Sequence, residues 1–175
     1  MRYLILSSFC FSLFFSHTAH CADTPKYIGQ HKSTPEDLSA IHQVIENFQT
    51  AIKSKDRKLL STLVLGDNIL FSSPQPPGAI KMAREKIDVN FNGINSNGYE
   101  AFARFISSSK NPNEEKFYNI KVTQDGNIAW VQFDYEFIND QRSSNYGIEV
   151  WQMLKSIDGS WKIFSVVWSV NLLPE

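Results

Sequence analysis

The sequence predicts an α+β fold, with amphipathic helices in its first half and an antiparallel meander in its second. Two observations carry this. Apolar residues recur at helical spacing from Leu38 to Ile52, and four apolar-rich runs between Glu115 and Leu172 are separated by turn residues such as Asp125-Gly126 and Asp158-Gly159.

The chain opens with an address. Met1-Arg2 is a short basic start, Leu4 to Phe15 is an apolar run too short to anchor in a bilayer, and Ala19-His20-Cys21-Ala22 offers small residues for cleavage. We read residues 1–21 as a signal peptide, cut after Cys21 or Ala22, which makes the mature protein periplasmic or secreted. Cleavage removes both cysteines, so stability has to come from the core rather than from disulfides. The only charge lost is Arg2, so the formal net charge of −1 becomes −2, and a nucleic-acid partner, which needs a basic face, is disfavoured. Only His31 and His42 of the four histidines remain, too few for a histidine-rich metal site.

Residues 22–35 are polar and aperiodic and read as a flexible leader. Ser33-Thr34-Pro35-Glu36 then starts a helix, with a hydroxyl cap, proline in the first turn, and Glu36 and Asp37 near the positive end of the helix dipole. Leu38, Ile41, Ile45, Phe48 and Ile52 form its buried stripe. Lys53 to Asp56 ends it, Arg57 to Val64 makes a short second helix, and Asn68 to Ser72 reads as a strand. The stretch Pro74 to Asn97 is crowded with breakers and reads as a long connection, a lid or binding loop. Tyr99 to Ile106 is a third helix, stopped by Ser107-Ser108-Ser109. Strands follow at Glu115–Thr123, Ile128–Ile138, Tyr146–Lys155 and Trp161–Leu172. The domain is thus expected over residues 36–173.

Asp158-Gly159 suits a two-residue hairpin turn with Ile157 paired to Ser160, a register that sets Glu149 opposite Trp168 and Trp151 opposite Val166. Alternation along the strands then groups Trp130, Gln132, Asp134 and Glu136 with Glu149, Trp151, Met153, Phe164, Val166 and Trp168 on one mixed face. The other face carries Ala129, Val131, Phe133, Tyr135, Ile148, Val150, Ile163, Ser165 and Val167. With apolar residues on both faces, a homodimer through the sheet is the economical expectation.

The order helix, short helix, strand, helix, meander, together with Gly147-Ile148-Glu149-Val150-Trp151 and Asp158-Gly159-Ser160-Trp161-Lys162-Ile163, resembles the nuclear transport factor 2-like superfamily, which includes ketosteroid isomerases and SnoaL-like polyketide cyclases. The likeness spans Glu36 to Leu172. It implies a cone-shaped α+β fold in which three N-terminal helices pack on a strongly curved antiparallel sheet around an internal pocket, with dimerisation through the sheet. It also places Glu149 where the isomerases keep an oxyanion-holding acid, Phe48 at their tyrosine position and Ser73 at their base position. Phenylalanine donates no hydrogen bond and an unassisted serine abstracts no carbon-bound proton, so steroid-isomerase activity is disfavoured.

The mixed face is therefore the candidate site. Trp130, Trp151 and Trp168 would wall a pocket for a small organic molecule, with Gln132, Asp134 and Glu149 orienting it; acids among indoles favour a cationic or hydroxyl-bearing ligand. The alternatives are a cyclase, hydratase or isomerase using Glu149 or Asp134 as acid or base, and a dimeric protein-interaction domain. A structural role also accounts for the same residues, with the tryptophans as core and the carboxylates paired with Lys121 or Arg142. No phosphate loop, nucleophile elbow, thiol motif or zinc spacing occurs, and the reading calls for no cofactor and no metal.

Overall fold

The computed structural model describes residues 24–30 and 33–173. The expected signal peptide, its cleavage positions and His31 lie outside the described residues. The chain divides into two units, 1–30 and 31–175. In the first, Pro25 to Ile28 forms a turn closed by the Ile28 N–H on the Pro25 carbonyl at 2.9 Å. The helices and strands below belong to the second.

Helix α1 (Pro35–Ser54) starts as expected: the Thr34 hydroxyl accepts from the Asp37 N–H, and Pro35 occupies the first turn, where no N–H is needed. Its stripe of Ile41, Val44, Ile45, Phe48, Ala51 and Ile52 is buried. The chain leaves it through Lys55 at φ 57° and enters α2 (Arg57–Leu63), whose first turn is capped by the Asp56 carboxylate on the Leu59 N–H. Strand β1 (Leu70–Pro74) follows. The segment expected as one long connection instead holds a helix, α3 (Pro77–Lys86), and a two-residue strand, β2 (Ile94–Asn95), paired antiparallel to β1. Among the described residues there are therefore four helices, not three. The missed signal is the run Ala79 to Lys86 of good helix formers behind a proline suited to a first turn. No α3 residue is buried, so no apolar stripe announced the helix. After α4 (Gly98–Ser108) come β3 (Asn113–Gln124), β4 (Ile128–Asn139), β5 (Arg142–Lys155) and β6 (Trp161–Trp168).

The curved sheet has the order β2-β1-β6-β5-β4-β3, antiparallel except where β1 runs parallel to β6. Three irregularities decide which side chains face the helices. In the β5–β6 hairpin the loop is three residues, not two: the Gly159 N–H and Ser156 carbonyl close a turn at 2.9 Å, the Ser156 N–H bonds Ser160, and Gly159 takes φ 84°. Ile157 does not pair with Ser160. Phe164 then bulges between the pairs Met153↔Ile163 and Gln152↔Ser165, which restores the expected pairs Glu149↔Trp168 and Trp151↔Val166.

Between β4 and β5 the expected loop Asn139 to Asn145 is a tight turn at Asp140 and Gln141, both at positive φ, and the strands run up to it. Ser144 is a surplus residue between the pairs Ile138↔Ser143 and Phe137↔Asn145, and no second bulge cancels it. Phe133 therefore faces Glu149 and Val131 faces Trp151. The mixed face drawn from the sequence is corrected accordingly: Trp130, Gln132, Asp134 and Glu136 share the outer face with Gln152, Val150, Ile148 and Tyr146, because one surplus residue in a period-two element moves every later side chain across the sheet. The third irregularity, at Asn119 (φ 53°), bends β3 between Tyr118 and Lys121.

On the inner face Trp151 is fully enclosed, its ring 4.9 Å from Phe48 and 5.2 Å from Phe133, edge to face in both cases. At the narrow end Trp161 and Lys155 close on the start of α1. The Asp37 carboxylate accepts from the Trp161 indole at 2.9 Å and pairs with the Lys155 ammonium at 2.6 Å.

Candidate functional site

Where the helices part from the wide end of the inner face, a cavity of about 640 Å³ remains. Phe48 of α1, Phe71 of β1, Phe102 and Phe105 of α4, Phe137 of β4 and Trp168 of β6 wall it. Its mouth is polar, formed by Asn95 and Asn97 on one side and by Asn139, Arg142, Ser143, Ser144 and Asn145 on the other. The volume falls within the range of small-molecule cavities, with an apolar wall inside and a polar rim.

Two acids reach into it. Glu149 on β5 is 3 % exposed, and its Oε1 accepts from the Trp151 indole N–H at 2.5 Å, an i to i+2 contact that the strand's alternation creates. Burial pushes its carboxyl up to about 7 despite that hydrogen bond, which lowers it. Glu115 on β3 is 5 % exposed and also lines the cavity. Burial, and then the neighbouring Glu149, hold its carboxyl well above the ordinary carboxylate range. Among the described residues the Glu115 side chain has no hydrogen-bond partner, and no Lys, Arg or His stands within ion-pair distance of either carboxyl. Tyr135 on β4 separates the two in the register, since Glu115 faces Phe137 and Glu149 faces Phe133. Its hydroxyl donates to the Ser169 carbonyl at 2.7 Å and lies 2.8 Å from the Asn145 amide oxygen, and burial raises its pKa.

Of the residues singled out from the sequence, Glu149 and Trp168 line this cavity, and Trp151 stands below it in the core, holding Glu149. Trp130, Gln132 and Asp134 do not join them. They lie exposed on the outer face, with Trp130 at 49 %, and Asp134 accepts from the Asn119 side-chain amide at 2.6 Å. The anticipated pairing of the acids with Lys121 or Arg142 is not found among the described residues. Phe48 lines the cavity, whereas Ser73 is buried outside its lining, its hydroxyl accepting from the Gln75 amide at 2.9 Å. From the expected loop 74–97 only Asn95 and Asn97 contribute. Sequence reasoning missed Glu115. Its signal was an acid two residues before Phe117 at the start of a strand, on the face where alternation places core.

Among the described residues no group of three or more His, Cys, Asp and Glu is placed to hold a metal ion, and no helix is long and apolar enough to cross a membrane.

The same α+β fold recurs among solved structures. A nuclear transport factor 2-like protein from Cytophaga hutchinsonii matches over 79 % of this chain and all of its own, at 17 % identity and a TM-score of 0.57. A cystatin-like protein of unknown function from Nostoc punctiforme matches over 80 % of this chain and 95 % of its own, at 14 % identity and a TM-score of 0.56. A nuclear transport factor 2-like superfamily protein from Salmonella enterica matches over 82 % and 96 %, at 18 % identity and a TM-score of 0.56. No protein-family model and no curated protein matches the sequence. The chain has the nuclear transport factor 2-like fold.

Proposed function

We propose that the protein binds a small, largely apolar organic molecule in the cavity between α4 and the sheet, with Glu149 as its main polar contact. The observation that supports this reading is the carboxyl of Glu149, enclosed beside an aromatic-walled space that the chain's own side chains leave unfilled. A buried acid of this kind costs stability unless something it binds repays it. Native mass spectrometry of the purified protein against a library of small aromatic molecules tests the reading. Bound masses should appear, and Glu149→Gln should weaken the retained ligands about tenfold. A library without hits, or affinity unmoved by the substitution, removes Glu149 from the function.

One feature favours a second reading, a hydratase, cyclase or isomerase: burial pushes the Glu149 carboxyl, which lines the cavity, up to about 7, in the range where an acid or base works best. Asp134 has no place in it, lying on the opposite face. Phe48 in the cavity wall and Ser73 outside its lining disfavour a steroid-isomerase constellation.

The outer face supports a homodimer. Tyr118, Ile128, Trp130, Ile148, Phe164 and Val167 are exposed there together. Light scattering should give twice the chain mass, and Trp130→Glu should give the monomer; a monomeric native protein ends this reading. Export rests on residues 1–22 alone, and N-terminal sequencing of protein made in an exporting host, expected to begin at Ala22 or Asp23, decides it.

A further inference from the structure

We propose that the cavity is a receptor for an organic monocation, an ammonium on an aromatic or alkyl body, held between the carboxyls of Glu115 and Glu149 with its body against Phe102 and Trp168. This deepens the binding reading above and rests on it.

The argument starts from what the chain leaves undone. Buried acids are ordinarily met by a cation or by several donors. Here two acids line one cavity, one of them with a single indole donor and the other, nine-tenths buried, with no partner among the described residues. The same chain shows that it can supply a counterion, because Asp37 has Lys155. At the cavity it supplies walls instead. The side chains that α1, α4 and β6 present to the space carry no titratable group. β4 adds Tyr135, whose proton is committed to Ser169 and Asn145. Arg142 is the one cation in the lining, exposed at the mouth and outside ion-pair distance of both acids. An anionic guest leaves the carboxyls as costly as before, and a neutral one offers them at most a hydroxyl donor. An ammonium gives both carboxyls charged donors, and the aromatic faces add cation–π attraction.

Without a guest the pair favours retaining a proton near neutrality, because burial raises both groups and Glu149 raises Glu115 further. Entry of the cation favours the doubly ionised pair, so a proton leaves to solvent as the ammonium binds. Affinity for a cation that stays protonated therefore rises with pH through about 7.

Calorimetric titration of the full chain with three isosteric probes, 2-phenylethylammonium, 2-phenylethanol and phenylacetate, tests this. The ammonium should bind about tenfold tighter than the alcohol and phenylacetate weakest, with ammonium binding enthalpies differing between Tris and phosphate buffers as a released proton requires. Glu115→Gln, which keeps the shape, should erase most of the preference for the ammonium while leaving alcohol binding in place; its melting temperature, expected not to fall, shows that it is folded. Equal binding of ammonium and alcohol, or a preference unmoved by Glu115→Gln, overturns the cation site and leaves the apolar-cavity reading standing. Failure of all three probes to bind overturns both.

Discussion

The two ends of the cone hold a carboxylate in the same way and complete it differently. At the narrow end Asp37 accepts an indole N–H from Trp161; at the wide end Glu149 accepts one from Trp151. Asp37 also has the Lys155 ammonium, which together with the indole brings its carboxyl below the ordinary range. Glu149 has no such partner and its carboxyl is raised. The difference teaches that the indole alone does not settle a buried acid. The counterion does, and at the wide end the protein has not provided one.

The largest effect that tests this comparison comes from the element both ends share, the aromatic core. Trp151→Ala should cost about 4 kcal/mol in urea unfolding, because it empties a fully enclosed ring site. It should also raise the Glu149 carboxyl further by removing the hydrogen bond that lowers it. A loss confined to ligand binding would show that Trp151 belongs to the site rather than to the core. Asp37→Asn should come next, lowering the melting temperature by less than Trp151→Ala. Asp37's folded pKa lies below its ordinary value of 3.8, so its contribution is present above that value and lost as pH falls through the folded value. The variant should thus lose the acid-side drop in stability, and a wild-type-like acid limb would show that the narrow end is not held by this ion pair.

The wide end should respond with the opposite sign. Glu149 binds its proton more tightly folded than unfolded, so stability falls as pH rises from about 4.5 to about 7. Replacing both acids, Glu115→Gln with Glu149→Gln, should flatten that fall and stabilise the protein at neutral pH by about 2 kcal/mol. A double variant less stable than wild type at neutral pH would mean that the acids are satisfied after all. Smallest of all is the surface pair Lys53–Glu114 at 3.3 Å, where Lys53→Ala should change stability by less than about 0.5 kcal/mol and serves as the control for charge without burial.

How legible these features were in the sequence follows the same division. Helix α1 announced itself through cap, proline and stripe, and the pairs of Glu149 with Trp168 and Trp151 with Val166 were readable from the hairpin. The hairpin reading succeeded through two offsetting departures, a longer loop at 157–159 and a bulge at Phe164. At Ser144 there was one departure with nothing to offset it, and the site lost Trp130, Gln132 and Asp134 in consequence. Strand alternation carries no mark of a bulge, since the residue that bulges is chosen by how the curved strand meets its neighbours. Glu115 was hidden for a related reason: a charge near a strand end reads as solvent-facing until the helices are in place to bury it.

The paired irregularities of the last hairpin bear on how this chain can change length. Dropping Phe164 alone would remove the bulge while leaving Met153↔Ile163, Gln152↔Ser165 and Trp151↔Val166 as they are, so Val166 and Trp168 keep their places in the chamber wall. Homologous chains should therefore be able to shorten this hairpin by one residue there without turning the wall outward.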